Sequence, residues 1–341
     1  MQSYIVLGGA GFLGRHIVSA LRSRGVDRIA VGDLAHVKLN GVESYVCDVT
    51  DESSLDMVFK QFRPTCVIHA AAAPPSAGAE SQWVVNYTGT RNAMNISIKY
   101  GVEVFVLSSD ASVIFDGQNL EGVDESHGYP RYALHAYLDS KSWAESFVQD
   151  KNGSGGIRTI CLRSSALFGP GSGWFVHPIT DAFRIPGLLA FEVGSSNNVF
   201  DWTYVTNAAD AHALAAEQLL LKRVIGGQSF IITNDEPRPF WSVPNAIYAA
   251  HHACGEYTIT GVPPWLAKFV VGCSSLLIRA SSDTSRVLMQ YYTTYCSKTQ
   301  WYNISKARSI LGYRPLVTVD EGIRLTIEAQ CSHDQSSSIS C

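Results

Sequence analysis

Two hydrophobic patterns alternate along the first half of the chain. Short, nearly solid apolar runs, such as Tyr4-Ile5-Val6-Leu7, Ile29-Ala30-Val31 and Cys66-Val67-Ile68, read as strands buried on both faces. Between them, over His16–Arg24, Ser53–Phe62 and Gln82–Tyr100, apolar residues return every three or four positions, the period of an amphipathic helix. Further strands are expected at Ser44–Cys47, Val102–Leu107 and Thr159–Arg163, and a helix over Tyr137–Phe147. Alternation of this kind predicts an α/β fold: a Rossmann-type, doubly wound parallel sheet whose ligand lies outside the carboxyl ends of the strands.

The pattern also says where the sheet is interrupted. Residues 116–136 carry Gly, Pro and acids without a period and are expected to be irregular, and 150–156 reads as a surface loop. The rhythm breaks after residue 170. Trp174, Phe175, Phe183, Leu188, Leu189 and Phe191 read either as an apolar pocket wall or as ordinary core. Asp201–Val205, a helix over Ala208–Leu221 and a last strand at Phe230–Ile232 return to the sheet. The expected division is a nucleotide-binding domain of 1–170 and 201–233, a smaller mixed substrate-binding cap of 171–200 and 234–330, and a Ser-rich disordered tail of 331–341.

Composition narrows the function. The 341 residues are 46% hydrophobic and 16% charged, enough for a large core, and the net charge of −4 offers no basic field for nucleic acid. The eight cysteines are scattered without paired spacing, which argues against a metal site or a disulfide framework and for reduced thiols in the cytoplasm. Tyr4–Leu7 runs straight into Gly8 with no basic segment before it, so no secretory leader is expected. No apolar run has the length of a membrane span. The nearest, Val262–Ile278, contains Lys268, two prolines and two serines.

The first strand leads into Gly8-Gly9-Ala10-Gly11-Phe12-Leu13-Gly14 and then into a helix. Glycines at 8, 11 and 14 let the chain turn tightly and approach a pyrophosphate seated on the helix N-terminus. Asp33 closes the second strand about 20 residues later, where a carboxylate accepts hydrogen bonds from a ribose 2′-hydroxyl and repels a 2′-phosphate. NAD is therefore favoured over NADP, although Arg15 and Lys38 stand nearby in sequence. Asp48 and Val49, after the third strand, are placed either to meet an adenine or to form a turn. Ala70, Ala71 and Ala72 leave room for a flat ligand beside the fourth strand, and His69 reads as a core residue. Tyr137 and Lys141 stand four residues apart on one face of a helix. An ammonium beside a phenol draws its pKa down from about 10 and can also hold a ligand hydroxyl.

Taken together, GGAGFLG, Asp33, Asp48-Val49, AAAAPP, NYTGT, SSDASVIFDG, YLDSK, LRSSALFGPGS, DWTYV, ITNDEPRPFW and YNISKARSILGYRP resemble the extended short-chain dehydrogenases. Within them the chain is most similar to the 3β-hydroxysteroid dehydrogenase group, especially the fungal-type sterol-4α-carboxylate 3-dehydrogenases that decarboxylate. The likeness covers roughly residues 1–328. It implies that Tyr137 is the acid/base on a substrate hydroxyl, that Lys141 binds the nicotinamide ribose and lowers the Tyr137 pKa, and that the glycine turn and Asp33 hold NAD. Ser108 and Ser164 join the cofactor candidates; Ser164 replaces a proline usual in the family. The expected reaction is oxidation of a 3β-type alcohol on a sterol, triterpenoid or meroterpenoid-like polycycle, with carbon dioxide lost where a neighbouring carboxylate is present.

One position departs from the family. Its catalytic Ser falls on Asp110. Either Asp110 takes part in altered chemistry, as a protonated donor or a second base, or it turns away and Ser109 or Ser112 serves instead. The first option leaves open a redox-neutral isomerase, dehydratase, lyase or cyclase using Asp110 and Tyr137. The resemblance also implies a homodimer, and a lid at 262–278 that either packs on the cap or touches a membrane surface such as the endoplasmic reticulum.

Overall fold

The computed structural model describes residues 2–172, 184–185, 189–193, 197–221, 225–251, 258–263, 265–266 and 283–338. The apolar runs become β1 (Ser3–Leu7), β2 (Arg28–Asp33), β3 (Glu43–Val46), β4 (Cys66–His69) and β5 (Val104–Asp110). β6 (Leu120–Val123), β7 (Arg158–Ser164), β8 (Leu167–Phe168), β9 (Arg184–Ile185), β10 (Leu189–Val193), β11 (Val199–Phe200) and β12 (Thr203–Tyr204) follow. The last strands are β13 (Gln228–Ile232), β14 (Arg238–Pro239), β15 (Thr258–Val262) and β16 (Gln300–Tyr302). The helices are α1 (Phe12–Ser23), α2 (Glu52–Phe62), α3 (Ala79–Gln82), α4 (Thr90–Lys99), α5 (Ala136–Asp150), α6 (Val205–Leu221), α7 (Ser242–His251), α8 (Asp283–Cys296) and α9 (Val319–Ser338).

Seven strands form the expected parallel sheet in the order β13-β7-β5-β4-β1-β2-β3. The chain winds outward from β1 in both directions, so strand order reverses between β1 and β4, the place where such sheets open a crevice. All five β1 residues are buried. Tyr4 and Val6 face one layer and Ile5 and Leu7 the other, the period-two alternation of a strand. α1 and α6 cover the first face, and α2, α4 and the C-terminal half of α5 cover the second. The inner side of α6 is built from Ala208, Ala209, Ala211, Ala213, Ala215 and Ala216, all buried, which lets it pack closely on α1. Burying each Val, Leu or Ile of this core is worth about 1.5–3 kcal/mol, so the sheet forms a rigid platform.

A four-stranded sheet, β14-β11-β16-β6, and a three-stranded one, β15-β10-β9, make up the smaller mixed part. Several boundaries differ from expectation. The segment 116–136 is not wholly irregular: Leu120–Val123 pairs with β16, and through it a strand from within 1–170 joins the small sheet. β5 runs three residues past Leu107, to Asp110, because it keeps pairing with β7 as far as Asp110 opposite Ser164. α6 begins at Val205, not Ala208. The expected loop 150–156 is a tight turn holding the single 3-10 turn Ser154–Gly156. The tail expected to be disordered continues α9 through Ser338. Trp174, Phe175, Phe183 and Leu188 of the expected pocket wall lie outside the described residues, as do 264 and 267–278 of the expected lid.

Candidate active site

The glycine turn is dictated by space. Gly8 has φ +81°, and a Cβ there would lie 2.5 Å from Ala71 N. A Cβ on Gly14 would lie 2.1 Å from the Gly8 carbonyl oxygen. Larger residues would therefore force β1, β4 and α1 apart. No side chain caps α1 at Gly11, which leaves its first N–H groups for an anion. Asp33 braces the turn: Oδ2 accepts from Ala10 N at 2.8 Å and Oδ1 from Leu34 N at 2.8 Å.

Two depressions share this turn. One is lined by Gly8, Gly11, Asp33, Asp48, Val49 and Ala70 to Ala72. The other runs from Gly8, Gly11, Phe12, Leu13 and Gly14 past Ala70 and Ser108 to Asp110, Tyr137, Lys141 and Ser164. The glycine turn, Asp33, Asp48, Val49, Ala70, Ala71, Ser108, Asp110, Tyr137, Lys141 and Ser164 thus border two adjoining depressions along the carboxyl ends of the strands. Asp48 also has the turn role considered for it, since its Oδ1 accepts from Thr50 N at 2.8 Å. His69 is a core residue, fully buried, with Nε2 3.0 Å from Thr90 Oγ1.

α5 carries Tyr137 and Lys141. His135 caps the helix by accepting from Tyr137 N at 3.1 Å. Lys141 is buried and donates to the Ser108 carbonyl at 2.5 Å. Asp110 does not turn away: the Tyr137 hydroxyl donates to its Oδ2 at 3.1 Å. Its Oδ1 accepts from Ser112 N at 2.8 Å and Ser112 Oγ at 2.5 Å, capping the 3-10 turn Ala111–Ile114. Ser109 cannot take the orienting role, because its hydroxyl points into the interior and donates to Glu145 at 2.5 Å. Burial first, and Asp110 second, push the Tyr137 phenol well above its ordinary value. Among the protein's own groups, then, the balance at Tyr137 is opposite to the lowering that the resemblance implies.

A family model described as the 3-beta hydroxysteroid dehydrogenase/isomerase family matches residues 5–253. The chain belongs to this family. It is 35% identical over 340 residues to the sterol-4-alpha-carboxylate 3-dehydrogenase, decarboxylating, of Schizosaccharomyces pombe, covering 96% of this chain and 97% of that one. The enzyme of the same description from Mus musculus is 32% identical over 335 residues, covering 95% and 90%. Among solved structures, a Thermus thermophilus UDP-glucose 4-epimerase complex with NAD superposes with a TM-score of 0.71 at 26% identity, covering 96% and 98%.

This member of the 3-beta hydroxysteroid dehydrogenase family anchors α5 with a buried cluster that the sequence reading missed. Glu145 lies one turn beyond Lys141 and accepts from Arg163, Ser109, Tyr129 and Ser229. The only sequence signal was its i+4 spacing from Lys141. Asn86 ties the NYTGT stretch to α5 by donating to Ser140 Oγ at 3.1 Å. Tyr291 and Tyr295 of α8 also line the cleft, together with Asp110. No periodicity links residues some 150 positions apart, so only the fold reveals them. Ser164 Oγ and Ser172 Oγ are buried in the cleft wall with no hydrogen-bond partner among the described residues. Orphaned hydroxyls of this kind fit a polar ligand that would satisfy them.

Proposed function

We propose that the chain is an NAD-dependent dehydrogenase acting on a 3β-type secondary alcohol of a sterol, triterpenoid or meroterpenoid-like polycycle, with loss of carbon dioxide where the substrate carries a neighbouring carboxylate. The observation that carries this reading is one cleft bordered by the glycine turn at one end and by Tyr137, Lys141 and Asp110 at the other. The decarboxylating sterol dehydrogenases among its relatives support the substrate class, and the NAD-bound epimerase supports the cofactor.

Gly8, Gly11 and Gly14 would hold the pyrophosphate, Asp33 the adenosine ribose, and Lys141 and Ser164 the nicotinamide half. When bound, NAD accepts a hydride from the carbinol carbon. Tyr137 receives the hydroxyl proton, and Asp110 fixes the phenol's orientation. Tyr291 and Tyr295 keep water from the reacting oxygen on the cap side. The division into a nucleotide-binding part (1–170, 201–233) and a cap (171–200, 234–330) belongs to this proposal, with the cap sheet borrowing Leu120–Val123.

The experiment is NADH formation with a panel of 3β-hydroxy polycycles, with and without a 4-carboxylate. Tyr137→Phe should lose about 10²- to 10⁴-fold in kcat while still binding NAD. Turnover that persists without NAD would instead favour a redox-neutral reaction. A cytoplasmic location, a homodimer and a peripheral membrane contact through 262–278 are parts of the same proposal. Trp265 is 69% exposed, and no helix among the described residues is long and apolar enough to cross a membrane. Co-sedimentation with liposomes, unchanged after deletion of 262–278, would end the membrane idea; light scattering tests the dimer.

A further inference from the structure

A half-buried phenol held as a proton donor to a carboxylate is a poor starting point for oxidation, which needs a base. The geometry around Asp110 resolves this. Tyr137 Oη is 3.1 Å from Asp110 Oδ2, while both Ser112 N and Ser112 Oγ hold Oδ1. Tyr291 of α8 lies close enough to Ser112 and Asp110 to interact with both. Tyr291 is buried, and its ring lies 5.0 Å from that of His135, the residue capping α5. The Asp110 carboxylate is thus clamped between the catalytic helix and the cap, with one oxygen free to receive a proton from Tyr137.

We propose that Asp110 is the proton acceptor behind Tyr137, with Ser112 as the positioning residue that holds its other oxygen and Tyr291 beside it. This rests on the dehydrogenase reading above. As the carbinol C–H electron pair leaves as hydride to NAD, the hydroxyl proton passes to Tyr137 Oη. The Tyr137 proton passes in the same event to Asp110 Oδ2, and the substrate becomes a ketone. Tyr137 is neutral before and after, so a phenolate is never required. Asp110, half-buried on the cleft wall, releases its proton to water once the product has left. Ser at this position could not store a proton, so the substitution changes how the family's reaction is run in this chain.

Asp110 is faced by Tyr137 and Lys141 from α5, by Tyr291 and Tyr295 from α8, and by Tyr302 from β16. Substitutions at Asp110 isolate its part, because Lys141, which donates to the Ser108 carbonyl, and the three other phenols are left unchanged by them. The test compares wild type with Asp110→Asn and Asp110→Ser. Wild type should be nearly level in kcat from neutral to mildly alkaline pH and should show a curved proton inventory in mixed H₂O/D₂O. Asp110→Asn should lose about 10²-fold or more in kcat with NAD binding unchanged. Asp110→Ser should recover part of that rate, but only as pH rises, with a linear inventory. In the absence of substrate, one tyrosine should ionise at lower pH in Asp110→Ser than in wild type, read by tyrosinate absorbance. Ser112→Ala, which leaves Asp110 in place, should move the rate and the inventory in the same direction by less. NADH from wild type with an unmoved pH profile, inventory and tyrosine titration in both Asp110 variants would overturn the relay alone. No NADH from wild type with any of these alcohols would overturn the dehydrogenase reading and the relay together.

Discussion

Arg163 Nη2 lies 2.7 Å from Glu145 Oε1, with both side chains almost wholly removed from water. β7 supplies the Arg and α5 the Glu, so the pair locks the helix of Tyr137 and Lys141 against the sheet. Removing one member leaves a buried charge alone, which typically costs about 3–5 kcal/mol. Glu145→Ala is expected to lose stability of that order in urea unfolding. Losses in kcat should accompany it as Lys141 shifts. A change below about 1 kcal/mol, the range of an exposed pair, would show that the cluster is not what holds α5.

Gly14→Ala should abolish cofactor binding. Its Cβ would sit 2.1 Å from the Gly8 carbonyl, and backbone must move to admit it. An NAD affinity lower by about 100-fold or more, some 2.7 kcal/mol, is expected by fluorescence titration. Gly11→Ala should be milder, because the nearest atom to a Cβ there is 3.2 Å away.

Asp33 accepts two backbone hydrogen bonds and still borders the nucleotide end of the cleft. Asp33→Ser should weaken NAD about tenfold, the worth of one charge-assisted hydrogen bond of roughly 1.5 kcal/mol. The same change should improve NADP, since a repelling carboxylate is gone. Paired kcat/KM values for the two cofactors measure the switch.

Burial raises the Asp201 carboxyl to about 7. An unfolded aspartate titrates near ~3.9, so between these values the folded chain keeps a proton that the unfolded chain releases. Stability should therefore fall as pH rises across this window, by an amount of order 4 kcal/mol, with the loss complete above about pH 7. Asp201→Asn keeps an acceptor for Tyr302 N, now 2.9 Å away, and should flatten the dependence. Urea midpoints at pH 5 and pH 8 make the comparison.

Strand and helix order, the glycine turn, Asp33 and the Tyr137–Lys141 pair were legible because each is a local signal. A turn too tight for side chains, an apolar run and an i,i+4 pair are all written within a few residues. β6 was not legible: its four residues gain their hydrogen bonds from β16, about 180 positions later, and carry no run of their own. The extension of β5 to Asp110 was hidden for the same reason, since pairing with β7 decides it.

By itself the sequence determined the fold class, the glycine turn, the spacing of Tyr137 and Lys141 on one helix face and the unusual carboxylate at 110, because periodicity, backbone space and residue chemistry are properties of short segments. Only the tertiary structure decided what that carboxylate touches. It brought β5, α5 and α8 together, set Asp110 against Tyr137 and not away from it, sent Ser109 into the Glu145 cluster, and placed Ser112 and Tyr291 behind. Hydrogen-bond partners and burial depend on which elements pack together, and packing joins residues that no spacing along the chain relates.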